Sequence, residues 1–448
     1  MRNEEKRTVK GLLGLVALAA VTTVPVWAGA KAGMSPTFGK DVAPILYKNC
    51  AGCHRPGEVA PMSLMSYKET RPWVKSIREK VVAKAMPPWP LDRAYGKFAG
   101  ERGLSQDEIN TIVAWVDGGA REGDPKDVPP APTYPAGWQL GKPDAVFEVA
   151  EDYAVPSEGV VEYQHFVVPT GYTEDKWVQA AEIRSNHIEL VHHVIVFVQP
   201  PPEFKMKPFG VNMRREAQPP REPDAVVRGQ RVNRGRLGLF LAATGPGERG
   251  NVFPAGAGFR IPAGSKLIFQ VHYTPNGTPV KERSKIGLFY TKQVPEYEIK
   301  TIGVQNGQFE IPAGEANYRV EAALTFMEDA RIWNLIPHMH LRGKSFEYRL
   351  VYPDGKTETI LSVPKFDFNW QSVYTLAEPV RAPKGSRLEC VAYFDNSTAN
   401  KYNPDATKSV RWGDQTWEEM MIGFTTFSLD SQRVAQAASE SKKASEDQ

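Results

Sequence analysis

The apolar pattern of this chain changes at one proline-rich segment, and that change limits the folds open to it. From Phe38 to Gly119 apolar residues recur at helical spacing. After the segment, short β-rich runs alternate with turns that contain Pro, Gly, Asn and Asp. The segment itself, 128–135, reads VPPAPTYP, which is typical of a semi-rigid linker. Because 448 residues exceed what one hydrophobic core supports, we expect several domains.

The first region carries its own helix signals. Ser105 with Glu108 forms a capping box, an apolar face follows, and Gly118–Gly119 ends the pattern. The sequence therefore predicts an all-α domain over 36–126, followed by a linker over 127–137.

The second region predicts antiparallel sandwiches. Its clearest hairpin signal is Pro353-Asp354-Gly355. The run PAGSKL at 262–267 is echoed by PKGSRL at 383–388, and each run leads into a predicted strand. The length suffices for two sandwiches, which we place at 138–300 and 301–430. The predicted fold class is thus multidomain, an all-α domain followed by two all-β antiparallel sandwiches, with a disordered tail over 431–448.

The first thirty residues have the pattern of an export signal. Basic residues precede an apolar run from Gly11 to Trp27, and Ala28-Gly29-Ala30 fits a cleavage site. The alternative is an uncleaved anchor, so we expect membrane association only if residues 1–30 are retained. The expected location is the periplasm or the exterior. A net charge of +3 gives no reason to expect a nucleic-acid partner.

The segment Cys50-Ala51-Gly52-Cys53-His54 has the attachment pattern of a c-type haem. Two thiols add to the haem vinyl groups, and the adjoining imidazole of His54 takes one axial position on the iron. The chain has three cysteines, so a chance match is rare, and a redox dithiol or half a zinc site fits the helical context poorly. Cys390 lies alone in an apolar run and is interpreted as a buried, inert thiol.

Met86 is the predicted second axial ligand of that haem. It stands in AMPPWP, where the prolines favour an extended loop. Met62 and Met65 are too near His54 in sequence to reach the opposite haem face easily. A His and Met pair leaves no open position on the iron, so this haem should carry electrons rather than activate oxygen.

Five of the eight histidines fall in three compact places downstream. His338 and His340 on one strand would face the same side and form a two-imidazole chelate. His192 and His193 are adjacent, so they can share a metal only at a bulge or a strand end. His272 alone would be interpreted as a hydrogen-bonded core histidine.

Four segments in order give the chain a specific resemblance. VHHVIVF (191–197), QVHYTPNGT (270–278), PHMHLRGKSF (337–346) and WEEMMIGF (417–424) resemble the type II, ascorbate-dependent copper monooxygenases, the family of peptidylglycine- and dopamine β-hydroxylating enzymes. The resemblance covers roughly residues 140 to 430. It implies that both sandwiches are jelly rolls and that the chain binds two copper ions facing each other across a solvent-filled cleft.

The resemblance also assigns the ligands. His192, His193 and His272 match the electron-transfer copper, and His338, His340 and Met420 match the copper that binds O₂, with Met421 as the alternative. A thioether ligand is soft and favours copper over zinc. These assignments make His338, His340 and Met420 the expected catalytic set.

Departures from the family bear on the substrate. Peptide-amidating members carry an arginine two residues before the His-x-His pair, where this chain has Ile336. In those members, polar residues downstream of the methionine contact the peptide. The corresponding positions in this chain fall near Ile422 and Phe424. A small apolar or aromatic organic substrate is therefore expected, whereas His165 and His187 match no family position and are interpreted as structural.

The combined expectation is an exported, haem c-containing copper monooxygenase. It would hydroxylate a small organic substrate with O₂, and the haem would relay electrons from ascorbate or another redox protein to the copper sites. One alternative is a non-catalytic electron-transfer or copper-handling protein. Another is a haem domain joined to a binding module with incidental histidines, which predicts no bound copper.

Overall fold

A computed structural model describes residues 35–213, 225–227, 230–232, 237–245 and 250–434. The predicted export signal over 1–30 lies outside these residues. So does all but the first part of the predicted tail over 431–448.

Short helices occupy the region before the proline-rich segment. The predicted capping box is present, because the Ser105 hydroxyl accepts a hydrogen bond from Glu108 N at 3.2 Å and the Glu108 carboxylate accepts one from Ser105 N at 2.8 Å. The apolar helix faces pack around the fully buried Trp115. The α-helices are α1 (Ala43–Asn49), α2 (Tyr67–Thr70), α3 (Val74–Val82) and α4 (Gln106–Asp117), with short π or 3₁₀ turns at Phe38–Val42, Arg71–Trp73 and Pro125–Asp127.

Strands form most of the remaining described chain, and a 3₁₀ turn at Asp430–Gln432 follows the last of them. In chain order they are β1 (Ala145–Glu148), β2 (Tyr153–Val155), β3 (Gln164–Pro169), β4 (Lys176–Ser185), β5 (Val191–Gln199), β6 (Val211–Met213), β7 (Ala225–Val227), β8 (Gln230–Val232), β9 (Leu239–Thr244), β10 (Asn251–Val252), β11 (Ala257–Ile261), β12 (Lys266–Tyr273), β13 (Val280–Glu282), β14 (Ser284–Tyr290), β15 (Tyr297–Glu298), β16 (Lys300–Gln305), β17 (Glu310–Ile311), β18 (Tyr318–Phe326), β19 (Ala330–His338), β20 (Gly343–Val351), β21 (Thr357–Val363), β22 (Tyr374–Ala382), β23 (Arg387–Phe394), β24 (Val410–Arg411) and β25 (Ile422–Leu429).

The strands pair almost entirely antiparallel. One six-stranded sheet has the order β1-β14-β4-β11-β15, with β10 also paired to β4, and a four-stranded sheet has the order β3-β12-β5-β9. Further along the chain, a four-stranded sheet β16-β25-β19-β22 accompanies a five-stranded sheet β21-β20-β23-β18-β6. Two-stranded ladders join β2 to β13, β7 to β8 and β17 to β24. The β11–β15 pair is parallel.

Two large apolar cores lie on the inner faces of these sheets. One contains Phe166, Val196, Phe259 and Phe269, which come from the six-stranded and the first four-stranded sheet. The other contains Leu335, Phe346, Leu388 and Phe427, which come from the five-stranded and the second four-stranded sheet. Alternating side chains therefore bury one face of each strand in a core.

A small apolar joint connects the two four-stranded sheets. Ile195 of β5 and Phe240 of β9 pack there with Ile336 of β19. Phe240 also contacts Phe424 of β25, with ring centroids 5.0 Å apart. The outer faces of these two sheets thus meet, and this contact places β5 and β19 side by side.

The predicted fold class is wrong. From Pro36 onward the chain forms one compact, mostly β unit rather than an all-α domain followed by two separate jelly rolls. The segment between α3 and α4 hydrogen-bonds to the β structure: Ala99 N donates to Thr375 O and Ala377 N donates to Lys97 O, both at 2.8 Å. Trp89 lies in the core with Tyr374, at a centroid distance of 5.0 Å. Helical periodicity is a local signal, so it could not reveal these long-range contacts.

In the part of the chain that the structure describes, no helix combines the length and the apolar composition needed to cross a membrane.

Candidate metal centre

A bulge in β5 brings three histidines together. His272 of β12 pairs with His193, but the next residue, Tyr273, pairs with Val191, so His192 is an extra residue in the ladder. The bulge breaks the normal alternation of side chains, as adjacent histidines sharing one metal require. One ligand atom from each of His192, His193 and His272 lies within 4.8 Å of the other two.

The spacing of these nitrogens fits a metal ion. Nδ1 of His192 is 3.1 Å from Nδ1 of His193, and nitrogens bound at about 2.0–2.1 Å to one metal lie at about that separation or slightly more. Nδ1 of His272 is buried and has no hydrogen-bond partner. A buried polar atom without a partner is unfavourable, and a bound cation would satisfy it.

The same histidines are held in the neutral form that binds metals. Burial, with the nearby His338 next in effect, lowers the pKa of His192 to about 4. Burial lowers the pKa of His272 to about 3 and moves the pKa of His193 well below its ordinary value. Their imidazoles are therefore uncharged near neutral pH, and their lone pairs are available.

A second pair of histidines stands at the end of β19. His338 is the last residue of the strand, and the rings of His338 and His340 lie 5.4 Å apart. Nδ1 of His338 contacts the side-chain oxygen of Gln371, and Nδ1 of His340 lies 3.2 Å from the carbonyl of Glu418. In each ring the Nδ1–H is thereby engaged and Nε2 is left for a metal. Nε2 of His340 is buried and unpartnered.

The ladder between β19 and β25 ends two residues short of Met420. Its last pair is His338 and Ile422, so extension of that register beyond both strands would set Met420 opposite His340. The assignment of Met420 as a ligand stays a prediction. Met339 and Met421 alternate to the other face and are fully buried in one core. Met421 is therefore a core residue, and Met420 is the better-placed of the two predicted thioethers.

The two histidine sets meet in one pocket. The ring centroids of His193 and His338 are 6.3 Å apart. The two histidine sets are therefore in contact here, whereas the resemblance implies a solvent-filled cleft between them. The ring of Phe368 stacks on the ring of His192, with centroids 4.4 Å apart, and its centroid lies 6.2 Å from that of His340. Phe368 therefore contacts both histidine sets. The pocket wall is mostly apolar and includes Ile195, Phe240, Ile336, Phe368, Val373 and Phe424.

The Cys50–His54 segment follows α1 directly. Cys53 N and His54 N both donate to the carbonyl of Cys50, at 3.0 and 2.9 Å. Cys50 and Cys53 form no disulfide, and burial raises the pKa of Cys50 to about 12. Nδ1 of His54 lies 3.3 Å from the carbonyl of Met62, which leaves Nε2 for an iron. The donor set therefore fits a c-type haem.

Met86 lies just beyond α3. Its backbone N–H donates to the carbonyl of Lys80 at 3.3 Å, and its side chain is partly buried. Met62 packs its side chain against the helical core. The assignment of Met86 as the second axial ligand stays a prediction.

Several residues of the site gave no sequence signal. Gln371 lies 33 positions from His338, and Glu419, whose carboxylate accepts from His340 N, lies 79 positions from that histidine. Tyr163 sits edge-on to His272 with ring centroids 4.9 Å apart. Glu419 falls within the WEEMMIGF segment, but neither its partners nor those of Gln371 follow from local spacing.

Three residues interpreted as structural have that role. His165 is buried, with Nε2 3.1 Å from the side-chain nitrogen of Gln270, and His187 Nδ1 lies 3.0 Å from the Glu189 carboxylate. Cys390 is fully buried and unpaired. None of the three belongs to the pocket.

Comparison with known proteins identifies no family. No family model matches the chain, and no curated protein matches it. A structure of PNGF-II is similar over 64% of this chain and 65% of that chain, at 10% identity and a TM-score of 0.28. The major capsid protein P2 from Bacteriophage PM2 is similar over 64% of this chain and 98% of that chain, at 12% identity and a TM-score of 0.27. An allantoicase structure is 8% identical over 55% of this chain and 80% of that chain, at a TM-score of 0.16.

Proposed function

We propose that this protein is an exported, haem c-containing copper monooxygenase that hydroxylates a small apolar or aromatic molecule with O₂. His192, His193 and His272 would hold one copper ion, and His338, His340 and Met420 the other. Cys50, Cys53 and His54 would carry the haem, with Met86 as its second axial ligand. The electron donor would be ascorbate or another redox protein, and the export signal would deliver the chain to the periplasm or the exterior.

The observation that carries this proposal is the contact between two sets of neutral histidines over one apolar pocket. His193 and His338 are 6.3 Å apart and both line the pocket. Three imidazoles in one set suit zinc or copper, but a thioether in the other set favours copper. Two copper(I) ions held by these residues would supply the two electrons that insertion of one oxygen atom into a C–H bond requires, and the second oxygen atom would leave as water after taking up two protons.

The pocket wall supports an apolar substrate. Ile336 and Phe424 both line the pocket. A site that recognises a charged substrate would need polar side chains at these two positions. Asn369 and Gln371 are the polar side chains beside them. Such a wall favours burial of a small hydrophobic molecule and offers a few hydrogen bonds for its orientation.

The haem residues supply an electron carrier. Covalent attachment through Cys50 and Cys53 would keep a haem with the protein, and ligation by His54 and Met86 would leave no open position for O₂. Nδ1 of His54 faces the carbonyl of Met62, so Nε2 would be the nitrogen available to the iron. Oxygen chemistry is thereby assigned to the histidine pocket.

Metal analysis beside a haem spectrum tests the composition. The proposal expects one iron and two coppers per chain, and loss of about one copper with an intact haem in His338→Ala. His165→Gln is a matched control, because His165 is also a buried strand histidine but does not line the pocket. A copper content near zero in the wild type would contradict the proposal.

Activity is tested by oxygen consumption with a panel of small apolar and aromatic compounds. A monooxygenase should couple O₂ uptake to hydroxylated product, with one oxygen atom from ¹⁸O₂ in that product. Peroxide release that is independent of every compound, with two coppers bound, would instead favour the alternative function, a non-catalytic electron-transfer or copper-handling protein.

A further inference from the structure

We propose that Arg55 is a positioning residue that holds the Cys50–His54 segment against β5 of the same chain, so that electrons enter at His192, His193 and His272. This inference rests on the proposed function, because it assigns a route to the copper and haem sites proposed there. It adds which residues keep the electron donor and the histidine set already matched to the electron-transfer copper together in one chain.

Arg55 makes the first contact of the route. Its guanidinium lies 4.1 Å above the ring of Tyr134. It donates to the Glu58 carboxylate at 2.7 Å and to the Gln139 side-chain oxygen at 3.4 Å. The Arg55 and Glu58 side chains are each only 13% exposed. Burial of an arginine stacked on an aromatic ring fixes its orientation more firmly than a surface ion pair does.

Glu182 anchors the other end of this connection. The backbone N–H groups of Gln139 and Leu140 each donate to its carboxylate at 2.9 Å. Glu182 belongs to β4 and is 2% exposed. The segment predicted as a semi-rigid linker over 127–137 therefore contacts Arg55 through Tyr134, and the two residues Gln139 and Leu140 just beyond it bind Glu182 of β4.

A pocket lies between the haem motif and the β strands. Gly52 and Cys53 form one wall, and Val191 and Val194 of β5 form another. His192 and His193 occupy the positions between those two valines, and a strand advances about 3.3 Å per residue. The strand that faces Cys53 is therefore the strand that carries two of the three histidines.

Thr244 and Gly245 connect this pocket to the histidine pocket. Both residues line both pockets. Of the described residues that line the pocket at Cys53, none comes from the chain beyond Gly245, so β19 with His338 contributes nothing to it. Because β5 lines this pocket and carries His192 and His193, the lining favours the set formed by His192, His193 and His272 as the acceptor.

Single-turnover electron transfer tests the assignment. Protein with reduced haem and copper(II) is prepared without O₂ or substrate, and haem oxidation is followed by stopped-flow absorbance. Each iron(II) oxidised reduces one copper(II) to copper(I), so no other reactant is needed. We expect a rate constant that is independent of protein concentration in the wild type, and loss of the fast phase in His272→Ala but its retention in His338→Ala.

Variants test the positioning role. Arg55→Ala should slow haem oxidation at least tenfold, with unchanged haem spectrum and copper content. Arg78→Ala is the matched control, because Arg78 pairs with Asp117 in the same helical region but is 40% exposed and does not line the pocket. Tyr134→Leu removes the ring beneath Arg55 and should act in the same direction if Arg55→Ala fails to incorporate haem.

The outcomes separate this inference from the proposed function. A rate proportional to protein concentration, or unchanged rates in both Arg55→Ala and Tyr134→Leu, would overturn the inference while leaving metal content and product formation intact. Absence of copper or of hydroxylated product would overturn the proposed function, and the single-turnover measurement needs no product.

Discussion

The carboxylate of Glu419 accepts a hydrogen bond of 2.9 Å from the backbone N–H of His340. Its other oxygen accepts from the backbone N–H of Arg342 at 2.6 Å, and Glu419 is fully buried. Because Glu419 directly precedes Met420, one carboxylate joins the segment carrying the thioether to the turn carrying the imidazole. Glu419 therefore sets the spacing between two of the three proposed ligands without binding the metal itself.

Glu419→Gln should weaken copper binding at the site of His338, His340 and Met420. The two backbone N–H groups donate to different carboxylate oxygens, and in an amide one of these positions becomes an NH₂ donor, so one of the two hydrogen bonds is lost. We expect a loss of about 10–100-fold in copper affinity at this site alone, a range typical for partners that orient ligands. Competition with a copper chelator measures it. Glu418→Gln is the control, since the backbone carbonyl that contacts His340 remains, and equal losses in both variants would contradict the role of Glu419.

Met420→Ala should lower the copper content of the protein, whereas Met421→Leu should leave it unchanged. Removal of the Met420 thioether should release about one copper per chain, because two imidazoles alone hold copper(I) less firmly. Met421→Leu conserves side-chain volume in the core and should keep both coppers, with a stability loss below about 1.5 kcal/mol. Elemental analysis after dialysis decides the matter. The reverse pattern would make Met421 the ligand.

Phe240→Ala should destabilise the joint between the two four-stranded sheets. Phe240 is 6% exposed and contacts Phe197 and Phe424. Truncation of a buried phenylalanine costs about 3–5 kcal/mol. Urea denaturation measures the change in the free energy of unfolding. Val252→Ala, at a side chain 51% exposed, should change it little, and similar effects in both variants would show that Phe240 does not hold the joint.

Cys390 should resist alkylation in the native protein. Burial raises the pKa of its thiol well above the ordinary value, and the thiolate is the reactive form. Iodoacetamide should therefore leave Cys390 unmodified even at pH 9 and label it fully in denaturant. Mass spectrometry of the peptide that contains Cys390 reads out both conditions. Rapid labelling of the folded protein would contradict the burial.

Met86→Ala should change the haem spectrum, whereas Met62→Leu should not. Loss of the proposed axial thioether opens a position on the iron and should convert a low-spin haem to a high-spin one with a lower reduction potential. Met62→Leu keeps the backbone carbonyl that orients His54 and refills the helical core. An unchanged spectrum in Met86→Ala would remove Met86 from the ligand set.

Local patterns predicted the parts of the site that lie close together in sequence. The capping box at Ser105 follows from spacing alone. His338 and His340 are predicted on one strand; β19 ends at His338, but the two rings still lie close, with centroids 5.4 Å apart. The same reasoning showed that His192 and His193 need a bulge to share a metal, and the structure has that bulge. Each of these features depends on a few consecutive residues.

Features that depend on distant contacts could not be predicted. Trp89 reads as part of a helical domain but is buried beside Tyr374, which is why the predicted separation of an all-α domain fails. The contact between His193 and His338 likewise requires the joint at Ile195, Phe240 and Ile336. Periodicity reports which face of an element is apolar, but not which other element covers it.

The bulge at His192 has a consequence for the order of folding and metal loading. Its geometry is fixed by the ladder between β5 and β12, so the three imidazoles are preorganised by backbone pairing before any ion arrives. Small metal-dependent domains instead remain unfolded until the ion binds. On the proposed function, the three-imidazole site would be a product of the sheet rather than its cause, so the chain would complete its fold in a copper-poor environment and bind copper afterwards.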